Sequence, residues 1–310
     1  MRYWVLLMAL MARDGFSEMP YGIQTVAGSG DLGDGGPASG ALLWNPNGVA
    51  WDGAGQLYVL DTGHGRLRKI DRSGLISTVA RIKGQYLTVD RDGTAWVSAR
   101  YGIYEVKPDG RVTRLTGIGS TARLGLAQQG YAIGGLARDG EGNLVFADPL
   151  QARVVRRNAD GRLAVVAGNG RTGYAGDGGR ATETTVTQPM GLSIAADGTI
   201  LVAEAGSLRI RRIDPAGIIG TLAGNGRTGT PQDGPALESP LPRITQVAAA
   251  GPGRVLLSSP SSLLEVSAGG ILRSLAAFHP PMLRVDTYLT ADDFPGGLAP
   301  DPGGPRASLI

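Results

Sequence analysis

Cysteine is absent from this chain of 310 residues, and histidine occurs only twice. Without cysteine there are no disulfides, thiolate metal sites or lipidated N-terminal cysteine, but the cellular compartment stays open. A zinc site needs about three protein ligands, so two histidines disfavour a zinc enzyme. Neither charge sign dominates, since 30 Lys and Arg oppose 27 Asp and Glu. The small excess is weak support for a nucleic-acid partner.

Long hydrophobic runs are also scarce, and the longest candidate lies at the N-terminus. Apolar residues run from Tyr3 to Ala12 after Arg2, which is too short to span a membrane and suits the core of a signal peptide. We therefore expect residues 1–21 to be a signal peptide or N-terminal segment, with no membrane span in the mature chain. The predicted location is secreted or periplasmic. Leu10 fits the cleavage motif poorly, so a cytoplasmic location is the alternative.

Glycine and proline are abundant, with 50 and 19 copies. This frequency exceeds that of ordinary chains and lacks a collagen period, so it predicts many turns. The hydrophobic fraction of 42% is enough for a large core. We expect residues 22–310 to form a single all-β domain.

An internal repeat defines the predicted architecture. The stretch "NPNGVAWDGAGQLYVLDTGHGRLRKIDRSGLISTVA" at 45–80 aligns without gaps to 132–168 and 188–224, and weaker copies lie at 84–117 and 244–277. Each unit shows four short strand patterns separated by Gly-containing turns, as in a four-stranded meander. The glycine of the first turn recurs at Gly55, Gly93, Gly142, Gly198 and Gly253. This spacing is typical of propeller blades.

The two ends of the chain predict a sixth blade. Residues 295–310 align with the start of a unit, and "GIQTVAG" at 22–28 matches a fourth strand. Joining them would close the ring and leave few open sheet edges. This blade would be incomplete because it lacks a third strand, which suggests a truncated or frameshifted sequence. Alternatively, residues Met282–Ala291 supply the missing third strand, although they precede the first strand of this blade in the sequence.

Four stretches carry a family resemblance: "GDGGPASG", the unit at 45–80, "GDGGRATETTVTQPMGLS" and "RIRRIDPAGIIGTLAGNG". They resemble the bacterial form of the NHL-repeat family of six-bladed β-propellers, and the similarity extends over residues 23–310. The resemblance implies four-stranded antiparallel blades and a ligand-binding, sensor or scaffold module. It names no ligand, because unrelated functions share this fold.

Three loops match G-x-G-x-x-G: "GSGDLG" at 28–33, and "GNGRTG" at 168–173 and 224–229. A dinucleotide site needs a helix directly after such a loop. Turn residues follow instead, so these loops are predicted to cross between blades and we expect no nucleotide cofactor. Asp34, Asp177 and Asp233 recur after the loops. They are expected to cap turns through their own backbone, with cation or ligand contact as the alternative.

The middle turn of each strong unit supplies the candidate site. A carboxylate ends the second strand and an arginine opens the third, so the two side chains can pair across the hairpin and fix the turn. The competing interpretation is a ligand or partner surface around the channel mouth, to which variable turn residues contribute. The candidate residues are Asp61, His64, Arg66, Arg100, Asp148, Gln151, Arg153, Glu204, Ser207 and Arg209.

The leading functional hypothesis is a non-enzymatic, monomeric propeller that binds a protein, glycan or small molecule through this face. The alternative is a hydrolase or lyase with a divalent cation in the channel, although no carboxylate cluster supports Ca²⁺ and no metal ligand or catalytic residue is assigned. The third is an RNA-binding propeller. It is disfavoured because alternation along the Arg-rich third strands predicts a solvated rim rather than one basic face. Hairpin turns explain the remaining repeated aspartates, Asp52, Asp90, Asp139 and Asp301.

Overall fold

The computed structural model describes residues 33–99, 102–116, 133–175 and 177–277, and three short strands near the termini. Contacts group the chain into two compact units. The first contains Met1–Ala99, Tyr104–Thr113 and Pro280–Ile310, and the second contains Arg100–Ile103 and Arg114–His279. No helix in the described ranges is long and apolar enough to cross a membrane.

The fold is an all-β propeller whose described residues form five blades, each with four antiparallel strands. The first strand of the chain, β1 (Met8–Leu10), lies outside the blades. Blade 1 contains β2 (Pro46–Trp51), β3 (Leu57–Asp61), β4 (Arg66–Ile70) and β5 (Ile76–Arg81). Blade 2 contains β6 (Tyr86–Val89), β7 (Ala95–Ala99), β8 (Gly102–Val106) and β9 (Val112–Thr116).

The remaining three blades follow in chain order. Blade 3 contains β10 (Leu136–Arg138), β11 (Leu144–Asp148), β12 (Arg153–Arg157) and β13 (Leu163–Ala167). Blade 4 contains β14 (Pro189–Ile194), β15 (Ile200–Glu204), β16 (Arg209–Ile213) and β17 (Ile219–Ala223). A two-residue strand, β18 (Gly234–Pro235), precedes blade 5, which contains β19 (Gln246–Ala249), β20 (Val255–Ser259), β21 (Ser262–Val266) and β22 (Ile271–Ala277). Short 3-10 helices span Ala38–Gly40 and Ala181–Glu183.

The predicted sixth blade is wrong. The C-terminal strands β23 (Leu298–Pro300) and β24 (Ala307–Leu309) pair with each other, and the second edge of β24 is taken by β1. The result is a separate three-stranded sheet in the order β1-β24-β23. An open strand edge accepts any segment that supplies backbone donors and acceptors in register, and β1 does so here. Residues 22–28 and 282–291, to which the prediction assigned strands, lie outside the described residues.

Local sequence explains the hairpins of the blades. The side chain of Asp52 accepts hydrogen bonds from the backbone N–H groups of Ala54 and Gln56, at 2.9 and 2.8 Å. Asp90 and Asp139 make the same pair of bonds in their own turns, as predicted, whereas Asp301 lies outside the described residues. The five repeated first-turn glycines all have positive φ angles between 66° and 84°, a region that glycine occupies at little steric cost.

The second strand of every blade is buried along its whole length. In the first unit, Leu60 of blade 1 and Val97 of blade 2 belong to one apolar cluster. In the second unit, Val145 of blade 3 packs in one cluster with Val202 of blade 4, and Leu257 of blade 5 packs in another with Ala203. These clusters hold the turns that connect the second and third strands in fixed positions.

The crossing segments pair with the outer strand of the blade that follows them. Gly35 N donates to Ile76 O and Ala38 N donates to Gly74 O, both at 2.8 Å. The segment before blade 4 makes the equivalent bonds, and β18 pairs with β22 in blade 5. Each crossing segment therefore lies next to the outer strand of the blade that follows it in the chain.

Candidate functional site

The turn between β3 and β4 is built around the buried carboxylate of Asp61. Its Oδ1 atom accepts a hydrogen bond of 2.8 Å from the backbone N–H of Trp44. Its Oδ2 atom lies 2.8 Å from His64 Nδ1 and 3.7 Å from Arg68 Nη1. The side chains of Asp61 and Arg68 are both fully buried, so one carboxylate holds a backbone segment, an imidazole and a guanidinium together.

Trp44 is held on both sides of its backbone and exposes its indole. Besides the bond to Asp61, its carbonyl accepts a hydrogen bond of 2.8 Å from Gly63 N. A Cβ atom at Gly63 would collide with that carbonyl and with the indole ring. The ring centroids of Trp44 and His64 are 5.7 Å apart in an edge-to-face arrangement. Trp44 is nevertheless 57% exposed.

Asp34 completes this cluster from the crossing segment. Arg68 Nη2 donates to its Oδ1 atom at 2.7 Å, Thr78 Oγ1 donates to the same atom at 3.1 Å, and Arg66 Nη1 lies 3.9 Å from its Oδ2 atom. The expectation that Asp34 caps a turn through its own backbone is therefore wrong. A buried guanidinium needs charged partners, and Asp34 supplies one from outside the strand.

Blade 4 repeats the cluster with different residues. Glu204 and Arg211 are fully buried, and Arg211 Nη1 donates to Glu204 Oε1 at 3.2 Å. Arg211 Nη2 donates to Asp177 Oδ1 at 2.7 Å. Ser207 Oγ donates to Glu204 Oε2 at 2.6 Å, and the backbone N–H of Thr187 donates to the same atom at 3.4 Å. Ser207 and Thr187 thus occupy the places of His64 and Trp44.

The two acids of the blade 4 cluster have opposite pKa shifts. Burial raises the pKa of Glu204, although Ser207 and Arg211 act in the other direction. For Asp177, partial burial alone would raise the pKa. Hydrogen bonds from Thr221 and the charge of Arg211 outweigh this effect, so the pKa of Asp177 is lowered. The charge of Arg211 thus favours the ionised form of Asp177.

Tyr174 covers the arginines of blade 4. Its ring centroid lies 3.7 Å from the guanidinium carbon of Arg209 and 5.2 Å from that of Arg211. Its hydroxyl donates to Asp177 Oδ2 at 3.1 Å. Arg209 donates to the carbonyls of Ser207 and Asn225, at 3.1 and 2.9 Å. The cation–π contact and the two carbonyl hydrogen bonds fix the position of Arg209, which connects the turn at Ser207 to the crossing loop at Asn225.

Blade 3 has a simpler turn. The side chain of Asp148 accepts a hydrogen bond of 3.0 Å from Gln151 N, and burial raises the pKa of this carboxyl. Val155 stands where Arg68 and Arg211 stand in the other two blades and is fully buried. The guanidinium cluster is therefore a feature of blades 1 and 4 among the three strong repeats.

Sequence reasoning located the middle turns, but in blades 1 and 4 it did not identify the buried arginine that pairs with the acid. Asp61 and Arg66, Asp148 and Arg153, and Glu204 and Arg209 are opposite each other in the strand register, as predicted. However, the fully buried ion pairs of Asp61 and Glu204 use Arg68 and Arg211, two residues further along the strand. These two arginines are therefore not on a solvated rim. Arg100 lies outside the described residues.

The sequence prediction did not include Arg68, Arg211, Trp44 or Tyr174 in the site. The sequence does contain a signal for the two arginines. In blades 1 and 4, and in no other blade, a "GDGG" stretch before the blade is followed by an R-x-R pattern in the third strand. In both cases the aspartate and the buried arginine are 34 residues apart. The aspartate before blade 5, Asp233, instead accepts a backbone hydrogen bond from Ser274. The alignment of the repeats also places Tyr131 opposite Trp44, whereas Thr230 lies opposite Tyr174.

The two described "GNGRTG" loops cross between blades, and no helix longer than three residues follows either of them. Gly168 and Gly224 open the loops with φ angles of 87° and 92°. Asn169 and Asn225 each donate a side-chain N–H to a carbonyl of the next crossing segment, at 2.9 and 2.6 Å. The glycines and asparagines thus shape the crossing. Within the described ranges, no group of three or more His, Cys, Asp or Glu could hold a metal ion.

Comparisons with known proteins identify relatives in sequence. The family model of the teneurin NHL domain matches residues 22–95 and 83–258. Teneurin-1 of Mus musculus is 24% identical over 257 residues, a match that covers 63% of this chain and 9% of that protein. The chain thus spans a small part of the length of the curated relatives that it matches.

Solved structures share the fold. A gluconolactonase from Xanthomonas campestris has a TM-score of 0.56 at 16% identity, with 86% of each chain covered. A streptogramin B lyase has a TM-score of 0.52 at 14% identity, covering 86% of this chain and 93% of that one. At these identities the likeness shows the fold alone.

Proposed function

This chain belongs to the teneurin NHL domain family, and we propose that it is a non-enzymatic binding module that contacts its ligand or partner with the turn between β3 and β4 of blade 1. The observation that carries the proposal is the presentation of Trp44. Trp44 is 57% exposed while its backbone is bonded on both sides, to Asp61 and Gly63. An aromatic side chain that is exposed and fixed in advance loses little conformational freedom on binding.

Comparison with blade 4 supports a role for this turn beyond stability. Both turns have a buried acid, a buried arginine and a bonded side chain at the third position of the turn. Thr187 serves the same backbone role in blade 4 that Trp44 serves in blade 1. A threonine is thus sufficient for the scaffold, and the indole of Trp44 is additional surface.

Secretion, which the N-terminal sequence predicts, suits such a module and remains part of the proposal. The matched teneurin is far longer than this chain, so what that protein binds is not assigned to this one. What supports binding over catalysis is the combination of family membership and the composition of the site, since the buried acids of both turns are occupied by arginine and by backbone or side-chain donors.

The proposal is tested with Trp44→Thr, which copies blade 4. A binding partner is first isolated with the wild-type chain from the extracellular fraction of the source organism, and its affinity is then measured with purified components. We expect Trp44→Thr to weaken binding at least about tenfold. The matched control is Leu75→Thr, which removes an apolar side chain that is 42% exposed at the β4–β5 turn, and it should leave the affinity unchanged. Equal affinities for the wild type and Trp44→Thr would refute the proposal.

A second candidate function is a histidine-dependent lyase or hydrolase. The observation that favours it is the 2.8 Å contact between His64 Nδ1 and the buried Asp61, since a carboxylate that orients an imidazole is a frequent feature of general acid–base sites. The gluconolactonase and lyase among the structural neighbours share the fold. Lactone hydrolysis that is present in the wild type and lost in His64→Gln would establish this candidate. Equal rates in both proteins would remove it.

A further inference from the structure

The surroundings of Trp44 restrict the chemistry of what it can bind. Leu42, two residues earlier, is the nearest exposed apolar residue along the segment, while Ala41 and Leu43 are buried. On the other side, His64 is flanked by Gly63 and Gly65, and a Cβ atom at Gly65 would meet open space. Along this segment the exposed apolar residues are thus Trp44 and Leu42, and the indole is the main apolar group that the turn presents.

His64 adds one oriented polar atom to this surface. A carboxylate can only accept a hydrogen bond, so the Nδ1 atom of His64 carries the proton that it donates to Asp61. In a neutral ring the Nε2 atom is then an acceptor, on the opposite side of the ring from the buried carboxylate. The imidazole is partly exposed, at 17% of its side-chain area, and its edge-to-face contact with Trp44 keeps the two rings together.

We propose that Trp44 and His64 form a binding site for one hexopyranose unit of a saccharide. The indole would pack against the C–H face of the sugar ring, and His64 Nε2 would accept a hydrogen bond from one hydroxyl. A flat apolar face beside one fixed polar atom matches a ligand that is itself apolar on one face and hydroxylated at its edge. This inference rests on the proposed function, because it names the ligand class of the same turn.

Comparison of the repeats separates the turn of blade 1 from that of blade 4. Blade 4 has Thr187 and Ser207 at the two positions, and the Ser207 hydroxyl is used to bond Glu204. Blade 3 has Gln151, whose backbone N–H bonds Asp148. Blade 4 thus has no aromatic residue at either position and supplies the natural replacements for testing, whereas Tyr131, which aligns with Trp44 in blade 3, lies outside the described residues.

The test is a titration with methyl β-D-galactopyranoside and methyl β-D-glucopyranoside, followed by the indole N–H signals in two-dimensional NMR. The Trp44 signal is the one missing from Trp44→Thr. We expect a saturable shift of that signal with at least one of the two glycosides and a Kd of about 1–10 mM, as suits a small ligand on an open surface. Binding should be lost in Trp44→Thr, weakened at least about threefold in His64→Ser, and unchanged in Leu75→Thr.

The possible failures separate the two proposals. If neither glycoside produces a saturable shift at about 50 mM, but Trp44→Thr still loses the isolated partner, then the saccharide site is wrong and the binding face stands. If the wild type shifts but His64→Ser binds equally well, the assigned hydrogen bond is wrong and the inference falls. If Trp44→Thr loses neither sugar nor partner, both proposals fall. Thermal unfolding of each variant confirms that the fold is intact before titration.

Discussion

The guanidinium of Arg211 lies 3.2 Å from the carboxylate of Glu204, and both side chains are fully buried. The crossing segment supplies a second acid, Asp177, at 2.7 Å. Because a charge in the protein interior is costly unless it is paired, this arrangement ties the crossing segment to the blade. Blade 1 contains the same arrangement around Arg68.

Replacement of Arg211 by methionine should lower the free energy of unfolding by about 3–5 kcal/mol, because Glu204 would be left as a buried charge without its partner. The double variant Glu204→Gln, Arg211→Met should recover about 2 kcal/mol of that loss. Arg212→Met changes an exposed arginine on the same strand and should stay within about 0.5 kcal/mol. Urea denaturation measures all three. Equal effects of Arg211→Met and Arg212→Met would contradict the structure.

The Asp177→Asn variant should show a pH-dependent loss of stability. Because the pKa of Asp177 is lowered in the folded state, its stabilising effect is complete above the ordinary value of 3.8 and disappears as the pH falls through the folded value. We expect a loss of about 1–2 kcal/mol at neutral pH, modest because the carboxylate is partly exposed. The difference from the wild type should shrink below pH 3.8. Asp160→Asn, in an exposed turn pair, is the neutral-pH control.

Gly63→Ala should destabilise the protein by about 1–3 kcal/mol, because the added methyl group would overlap the carbonyl and indole of Trp44. The emission spectrum of the tryptophans should change as well, since the indole must move. Gly40→Ala is the matched control, because its Cβ atom would meet open space and its φ angle is not positive. That variant should be neutral or slightly more stable. Thermal unfolding followed by near-ultraviolet circular dichroism measures the stability of both variants. Equal stability of Gly63→Ala and Gly40→Ala would contradict the prediction.

Removal of divalent cations should leave the melting temperature unchanged within about 1 °C. A cation stabilises the folded state only if it binds to it, so a protein without a cation site loses no stability on chelation. The expectation follows from the lack of any group of three metal-ligating side chains in the part of the chain that the structure describes. The measurement compares unfolding with and without EDTA, and after addition of Ca²⁺ or Zn²⁺. A drop of several degrees on chelation, reversed by either cation, would favour the metal-dependent enzyme instead.

Much of the blade architecture was predictable from the sequence. The repeat identifies the first-turn glycines and the hairpin aspartates, because these features depend on residues within a few positions of each other. The pairing of the chain ends in a separate three-stranded sheet, in place of a sixth blade, was not predictable. Alignment of residues 295–310 with the start of a unit is a local likeness, whereas the strand that takes the edge of β24 is Met8–Leu10, about 300 residues away.

The candidate site divides in the same way. Sequence determined that a carboxylate ends the second strand and faces an arginine across the turn, since strand register follows from hairpin length. Only the tertiary structure decided that Arg68 and Arg211 are the buried partners and that Asp34 and Asp177 reach them from 34 residues away. Burial of a charge depends on what packs around it, and the position of the Trp44 indole requires that Gly63 has no Cβ atom. Neither property is encoded in the local pattern of the strand.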